Sequence, residues 1–133
     1  MRAIIADTGP LYAAIDPDDQ YHQRARADLK QIETDNLEVI IAYPVFLEAY
    51  SLVLYRLGNQ NASAFVKQIV ESVDLINPDP QNYLEAMKLV ARFSDQKITL
   101  FDGITAILAN GLGVYVWTYD YHFDLMSVSV WRY

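Results

Sequence analysis

Two apolar runs, each ending at an aspartate, constrain this chain more than any other feature. One lies in "RAIIAD" (residues 2–7), the other in "VYVWTYD" (residues 114–120). Consecutive apolar residues without polar alternation suit strands covered on both faces, as in a parallel sheet. "EVIIA" from residue 38 and "VDLI" (73–76) read as further short strands, and "SVSVW" (127–131) alternates like a half-covered edge strand.

Helical patterns fill the intervals. Gly9-Pro10 introduces a short apolar helix, and Asp18 is placed to cap "DQYHQRARADLKQI", where Tyr21, Ala25, Leu29 and Ile32 recur at helical spacing. Pro44 opens "PVFLEAYSLVLYRL", which closes at Gly58. "NASAFVKQIVES" carries Phe65, Ile69 and Val73 on one stripe, "QNYLEAMKLVARF" follows the breaker "NPDP", and "TLFDGITAILANGLG" ends in glycines. Strands alternating with helices predict an α/β class: one domain over residues 1–133, with a central, largely parallel sheet of about five strands flanked by helices on both faces.

Composition narrows the chemistry. A chain of 133 residues with 53% apolar and 20% charged residues is expected to fold as one globular domain rather than stay disordered. No apolar run is long enough for a membrane span or a signal peptide, so a cytoplasmic location is expected. With no cysteine, the metal ligands available are carboxylates and two histidines, which favours a hard ion. The net charge of −7 opposes the basic footprint of proteins that grip nucleic acid by its phosphates. A polyanionic substrate would therefore require a bound cation at the site.

In open α/β sheets, ligands bind beyond the carboxyl ends of the strands, where strand order reverses. Asp7 and Asp120 lie at such ends. Glu48, early in the Pro44 helix, and Asp102, at the start of "FDGITAILA", belong to helices that begin near the same edge. Each acid has an ordinary alternative. Asp7 and Asp120 suit turns or caps, Asp102 suits a capping box with Thr99, and Glu48 suits a solvated helix face, although Val45 and Leu52 make that face apolar. Their joint placement favours a site.

The pattern around these acids resembles the PIN-domain family, in particular the toxin ribonucleases of VapBC-type toxin–antitoxin pairs. The resemblance spans "IIADTGPLYAAID", "DPDDQYHQRA", "PVFLEAYSLVLYRLG", "ITLFDGITAILA" and "VWTYDYHF", in that order. It departs at Gly9, where a polar residue is frequent, and at Gly103, where alanine is common. The resemblance implies a metal-dependent endoribonuclease that uses Mg²⁺, with Mn²⁺ as a substitute. Asp7, Glu48, Asp102 and Asp120 are its implied catalytic acids. We assign metal binding to Asp7, Asp102 and Asp120, water orientation or base work to Glu48, and a supporting role to Thr118. An RNA substrate, a small antitoxin covering the cleft and a homodimer built on helices within residues 44–73 are also implied.

Clustered carboxylates repel and raise one another's pKa, and a divalent ion reverses that penalty. Bound metal lowers the pKa of an attacking water and polarises a phosphodiester. His22, His122, Arg24 and Arg26 are weaker candidates and stay outside the assigned site, as does Asp124. Tyr12, Tyr119 and Tyr121 lie beside it and offer stacking for single-stranded bases. A receiver domain would show paired acids after its first strand and a late lysine, and an aspartic protease would be built mainly of strands; neither fits. The alternative from another class is a catalytically silent PIN-like module that binds RNA or protein. Asp7→Asn is expected to abolish metal-dependent cleavage and leave the fold near its original stability.

Overall fold

A computed structural model describes residues 2–132. The elements run β1 (Ala3–Ala6), α1 (Thr8–Ile15), α2 (His22–Thr34), β2 (Glu38–Ala42), α3 (Tyr43–Leu57), α4 (Asn59–Ser72), β3 (Asp74–Ile76), α5 (Pro80–Ala91), α6 (Leu100–Leu112), β4 (Tyr115–Trp117) and α7 (His122–Leu125). The four strands form one parallel sheet in the order β3-β2-β1-β4. The chain builds outward from β1 through β2 to β3, then returns to the other side of β1 for β4. Strand order therefore reverses between β1 and β4, beside the two aspartate-bearing ends.

The apolar runs are buried for the reason their composition gives. Ile5 pairs in register with Ile40 on one side and Val116 on the other. Ile5, Ile41 and Val116 are fully enclosed, because helices flank a sheet whose central strands lack a solvent face. Trp117 and Phe123 are the bulkiest enclosed side chains, so the core thickens beneath the C-terminal end of β4.

Two expectations are corrected. The edge strand at 127–131 reduces to one parallel bridge between Val116 and Val130, so among the described residues the sheet has four strands rather than about five. Val116 satisfies both its backbone groups there, accepting from Trp131 N at 2.8 Å and donating to Ser129 O at 2.9 Å. Ser127, at φ 60°, bends the segment on its approach and leaves only this contact flush with β4. Asp18 does not cap α2. The acid run "DPDD" instead makes two local turns: Asp16 Oδ1 accepts from Asp18 N at 2.9 Å and Asp19 Oδ1 from Tyr21 N at 2.8 Å. That delays α2 until His22.

α5 and α6 pack closely, and Gly103 permits it. A Cβ at Gly103 would lie 2.7 Å from Val90 Cγ2 and 3.2 Å from the Ala86 carbonyl oxygen. Alanine, common at this position in the family the sequence resembles, would force the two helices apart. Gly103→Ala is expected to cost about 1–3 kcal/mol, despite alanine's better helix propensity, measured as a lower urea midpoint. An unchanged or higher midpoint would show that the helix pair can relax freely.

Candidate active site

β1 ends by donating Asp7 N to Trp117 O at 3.0 Å, the last rung of its ladder with β4. α1 starts at the next residue, so Asp7 occupies a helix-capping position in extended conformation. Its side chain makes no cap bond. Instead, Asp7 Oδ2 accepts from Thr118 Oγ1 at 2.8 Å, across 111 residues of sequence. The same Thr118 oxygen accepts from Asp120 N at 3.0 Å. One buried hydroxyl thereby fixes Asp7 relative to the backbone that carries Asp120.

α3 begins where β2 ends and brings Glu48 to the same edge. Thr8, the first residue of α1, donates its hydroxyl to Glu48 Oε1. The capping box at the start of α6 is real: Thr99 Oγ1 accepts from Asp102 N at 3.2 Å and Asp102 Oδ2 accepts from Thr99 N at 3.1 Å. Asp120 also makes the turn its sequence allows, with Oδ1 accepting from His122 N at 2.9 Å. The ordinary roles of Asp102 and Asp120 are thus the means by which backbone geometry aims them.

All four acids line one cleft of about 410 Å³, together with Thr8, Gly9, Tyr21, Lys97, Thr99, Tyr119 and Tyr121. Asp7 and Asp102 are only 6% and 8% exposed. Burial, then repulsion from Asp102 and more weakly from Asp120, pushes the Asp7 carboxyl up to about 7, against the Thr118 and Thr8 hydrogen bonds that favour its ionised form. Burial also raises Asp102, with Asp120 and Glu48 adding repulsion and the Thr99 contacts opposing it. Among the described lining residues, Lys97 is the one cation set against four acids. Such a cleft favours a divalent cation, which would relieve the repulsion.

The arrangement of ligand atoms is narrower than the cleft. Among the described residues, Asp102, Asp120 and His122 each offer one ligand atom, all within 4.8 Å of one another. Asp7 and Glu48 line the cleft outside that trio. His122 was not among the sequence-assigned residues; its one sequence signal is its position two residues after Asp120. Thr8, next to Asp7 in the chain, and Tyr21 and Lys97 at the cleft were also not assigned.

The weaker candidates separate cleanly. His22 turns inward, its Nδ1 2.7 Å from Ala13 O. Tyr12 is buried and donates to Asp16 Oδ2 at 2.5 Å, away from the cleft, whereas Tyr119 and Tyr121 line it. Arg24 covers the Tyr119 ring at 4.3 Å, while Arg26 borders an apolar groove elsewhere. Asp124 is exposed and pairs with Arg132 at 2.9 Å.

No protein-family model matches the chain, and no curated protein matches it in sequence. Solved structures do match in shape. VapC20 from Mycobacterium tuberculosis, a toxin that cleaves the sarcin-ricin loop, superposes with a TM-score of 0.84 at 18% identity, covering 98% of this chain and 99% of that one. VapBC2 from Rickettsia felis, bound to a DNA fragment from its promoter, gives 0.73 at 13% identity, covering 98% and 97%. FitAcB from Neisseria gonorrhoeae gives 0.67 at 18% identity, covering 97% and 96%. These similarities establish the shared fold over nearly the whole length of each chain.

Proposed function

We propose that residues 1–133 form one PIN-type catalytic unit, a divalent-metal-dependent endoribonuclease that serves as the toxin of a toxin–antitoxin pair. The observation that carries this reading is the convergence of four acids from four separate parts of the chain on one cleft at the point where strand order reverses. The fold shared with VapC20 supports it. Asp102 and Asp120 would hold the ion, with Asp7 directly or through water. A bound Mg²⁺ or Mn²⁺ supplies charge neutralisation at the phosphodiester and an acidified water. Glu48, oriented by the Thr8 hydroxyl, takes the proton of the attacking water. Thr118 keeps Asp7 and Asp120 in register. Tyr21, Tyr119 and Tyr121 offer ring faces to unpaired bases, and Lys97 offers a cation to the phosphate chain.

The partners follow from two further surfaces. An apolar groove of about 510 Å³, which includes Leu11, Ile15, Leu29, Ile32, Phe65 and Ile69, would offer an antitoxin a second docking surface besides the acidic cleft that its segment would cover. Tyr43, Leu47 and Tyr55 recur at helical spacing on the outer face of α3, with Leu47 58% and Tyr55 86% exposed, which supports a homodimer through that face. No helix among the described residues is long and apolar enough to cross a membrane, and we place the protein in the cytoplasm.

The test is cleavage of a mixed RNA pool by purified protein. Cutting with Mg²⁺ or Mn²⁺ that stops in EDTA and returns on adding metal is the expected result. RNA binding with metal bound and no turnover across varied substrates would instead identify a silent binding module.

A further inference from the structure

We infer that His122 is itself a ligand of the divalent ion and gives the site a preference for Mn²⁺ over Mg²⁺. The inference rests on the metal-dependent reading above, but concerns which atoms hold the ion and which ion they select.

The imidazole is held in place. Its ring lies 4.6 Å from that of Tyr121, and its side chain is 13% exposed. Nδ1 is fully buried and takes part in no hydrogen bond. Buried polar atoms are almost always satisfied, so an orphan nitrogen beside Asp120, one of the cleft acids, calls for a partner. The nearest acceptor, Asp120 Oδ1, is 3.1 Å away, yet it already accepts from the His122 backbone N–H, and the ring nitrogen is not aligned to donate to it.

A ring nitrogen and a carboxylate oxygen at that separation, with no proton shared between them, match two neighbouring donors of one cation. Adjacent ligands of an octahedral ion with bonds slightly over 2 Å sit about 3 Å apart. Asp102, delivered independently by α6, supplies the third atom within the 4.8 Å limit. The donor set is then two carboxylate oxygens and one imidazole nitrogen. Mg²⁺ takes oxygen ligands almost exclusively, whereas first-row divalent ions accept imidazole readily. The nitrogen is therefore the selective element, and an all-carboxylate cleft would lack it.

The experiment uses the full chain without RNA. Mn²⁺ and Mg²⁺ are each titrated calorimetrically into wild type and His122→Gln, with circular dichroism confirming that the variant is folded. His122→Gln is expected to weaken Mn²⁺ binding about tenfold or more and Mg²⁺ binding by less than threefold. Equal weakening of both ions, or of neither, overturns the proposal. A second measurement needs no variant: pulsed electron paramagnetic resonance of Mn²⁺-loaded wild type, with and without ¹⁵N-histidine, is expected to show one directly coupled histidine nitrogen. Its absence also overturns the proposal. Wild-type binding of both ions without that coupling removes only the role of His122, whereas failure to bind either ion removes the metal-dependent nuclease reading as well.

Discussion

Asp7→Asn is expected to reduce metal-dependent RNA cleavage by about 10³-fold or more and, in metal-free protein at pH 8, to raise the melting temperature. The second effect comes from the cleft's own electrostatics. Burial and the neighbouring acids lift Asp7 from 3.8 to about 7 in the folded chain. A carboxyl with a raised folded pKa favours the folded state fully below its unfolded value, and that advantage is lost as pH rises through the folded value. Metal-free wild type therefore loses stability between about pH 4 and pH 7 as Asp7 ionises among Asp102 and Asp120. The gap between 3.8 and about 7 corresponds to on the order of 4 kcal/mol.

Asparagine removes the charge, and its carbonyl oxygen still accepts from Thr118 Oγ1. The variant's stability advantage is expected to be near zero at pH 4, where both side chains are neutral, and largest at pH 8. Melts across that range in EDTA check the first half of this expectation. Adding Mn²⁺ should then raise wild type far more than the variant. A flat difference across pH would mean that Asp7 is not destabilised by ionisation, and retained cleavage would remove it from the site. Near-original stability, the expectation from sequence alone, is thus now expected only at the acid end.

The other large effect lies behind the cleft. Asp28, buried in α2, accepts through Oδ2 from both Trp117 Nε1 at 2.9 Å and Tyr119 OH at 2.5 Å. These two bonds fasten α2 to the end of β4, directly beside Thr118. Burial and then Asp28 push the Tyr119 phenol up, so it remains a donor throughout the working range. Asp28→Ala leaves the buried indole N–H without its acceptor and is expected to cost about 3 kcal/mol of stability. Asp28→Asn retains an acceptor oxygen and should cost markedly less, and urea denaturation of the pair separates the lost hydrogen bonds from lost packing.

A consequence for the substrate follows. Tyr119 packs 5.0 Å from Tyr21 and beneath Arg24, so Asp28 also fixes the aromatic rim of the cleft. The folded Asp28→Asn protein should show a raised KM for RNA with kcat little changed. A fall confined to kcat would place the role of Asp28 at the acids instead.

Nothing in the sequence separates Asp28 from the exposed acid Glu33 on the same helix. Its partners lie 89 and 91 residues away, and only folding brings them within bonding distance. His122 was illegible for the same reason. Its place two residues after Asp120 carries no mark of whether its nitrogen faces water or the neighbouring carboxylates. The edge strand failed differently. Its alternation was genuine, but alternation reports which face is covered, not how many residues lie flush with the neighbouring strand. At Asp18, four closely spaced turn formers offered several local hydrogen-bonding solutions, and the sequence could not rank them.

What the sequence by itself determined was whatever local covalent pattern and burial dictate. The unbroken apolar runs 3–6, 39–42 and 114–117 required strands covered on both sides, and that required a parallel sheet with helical crossovers. The same rule put Asp7 and Asp120 at carboxyl ends, and the Thr99–Asp102 box could be read directly. Only the tertiary structure decided that β4 returns beside β1 rather than adding beyond β3, and that single choice brings Asp7 to Thr118 and Asp120. Strand order is settled by the packing of every helix at once, a non-local sum that no single segment carries, whereas burial of a four-residue apolar run is decided within the run.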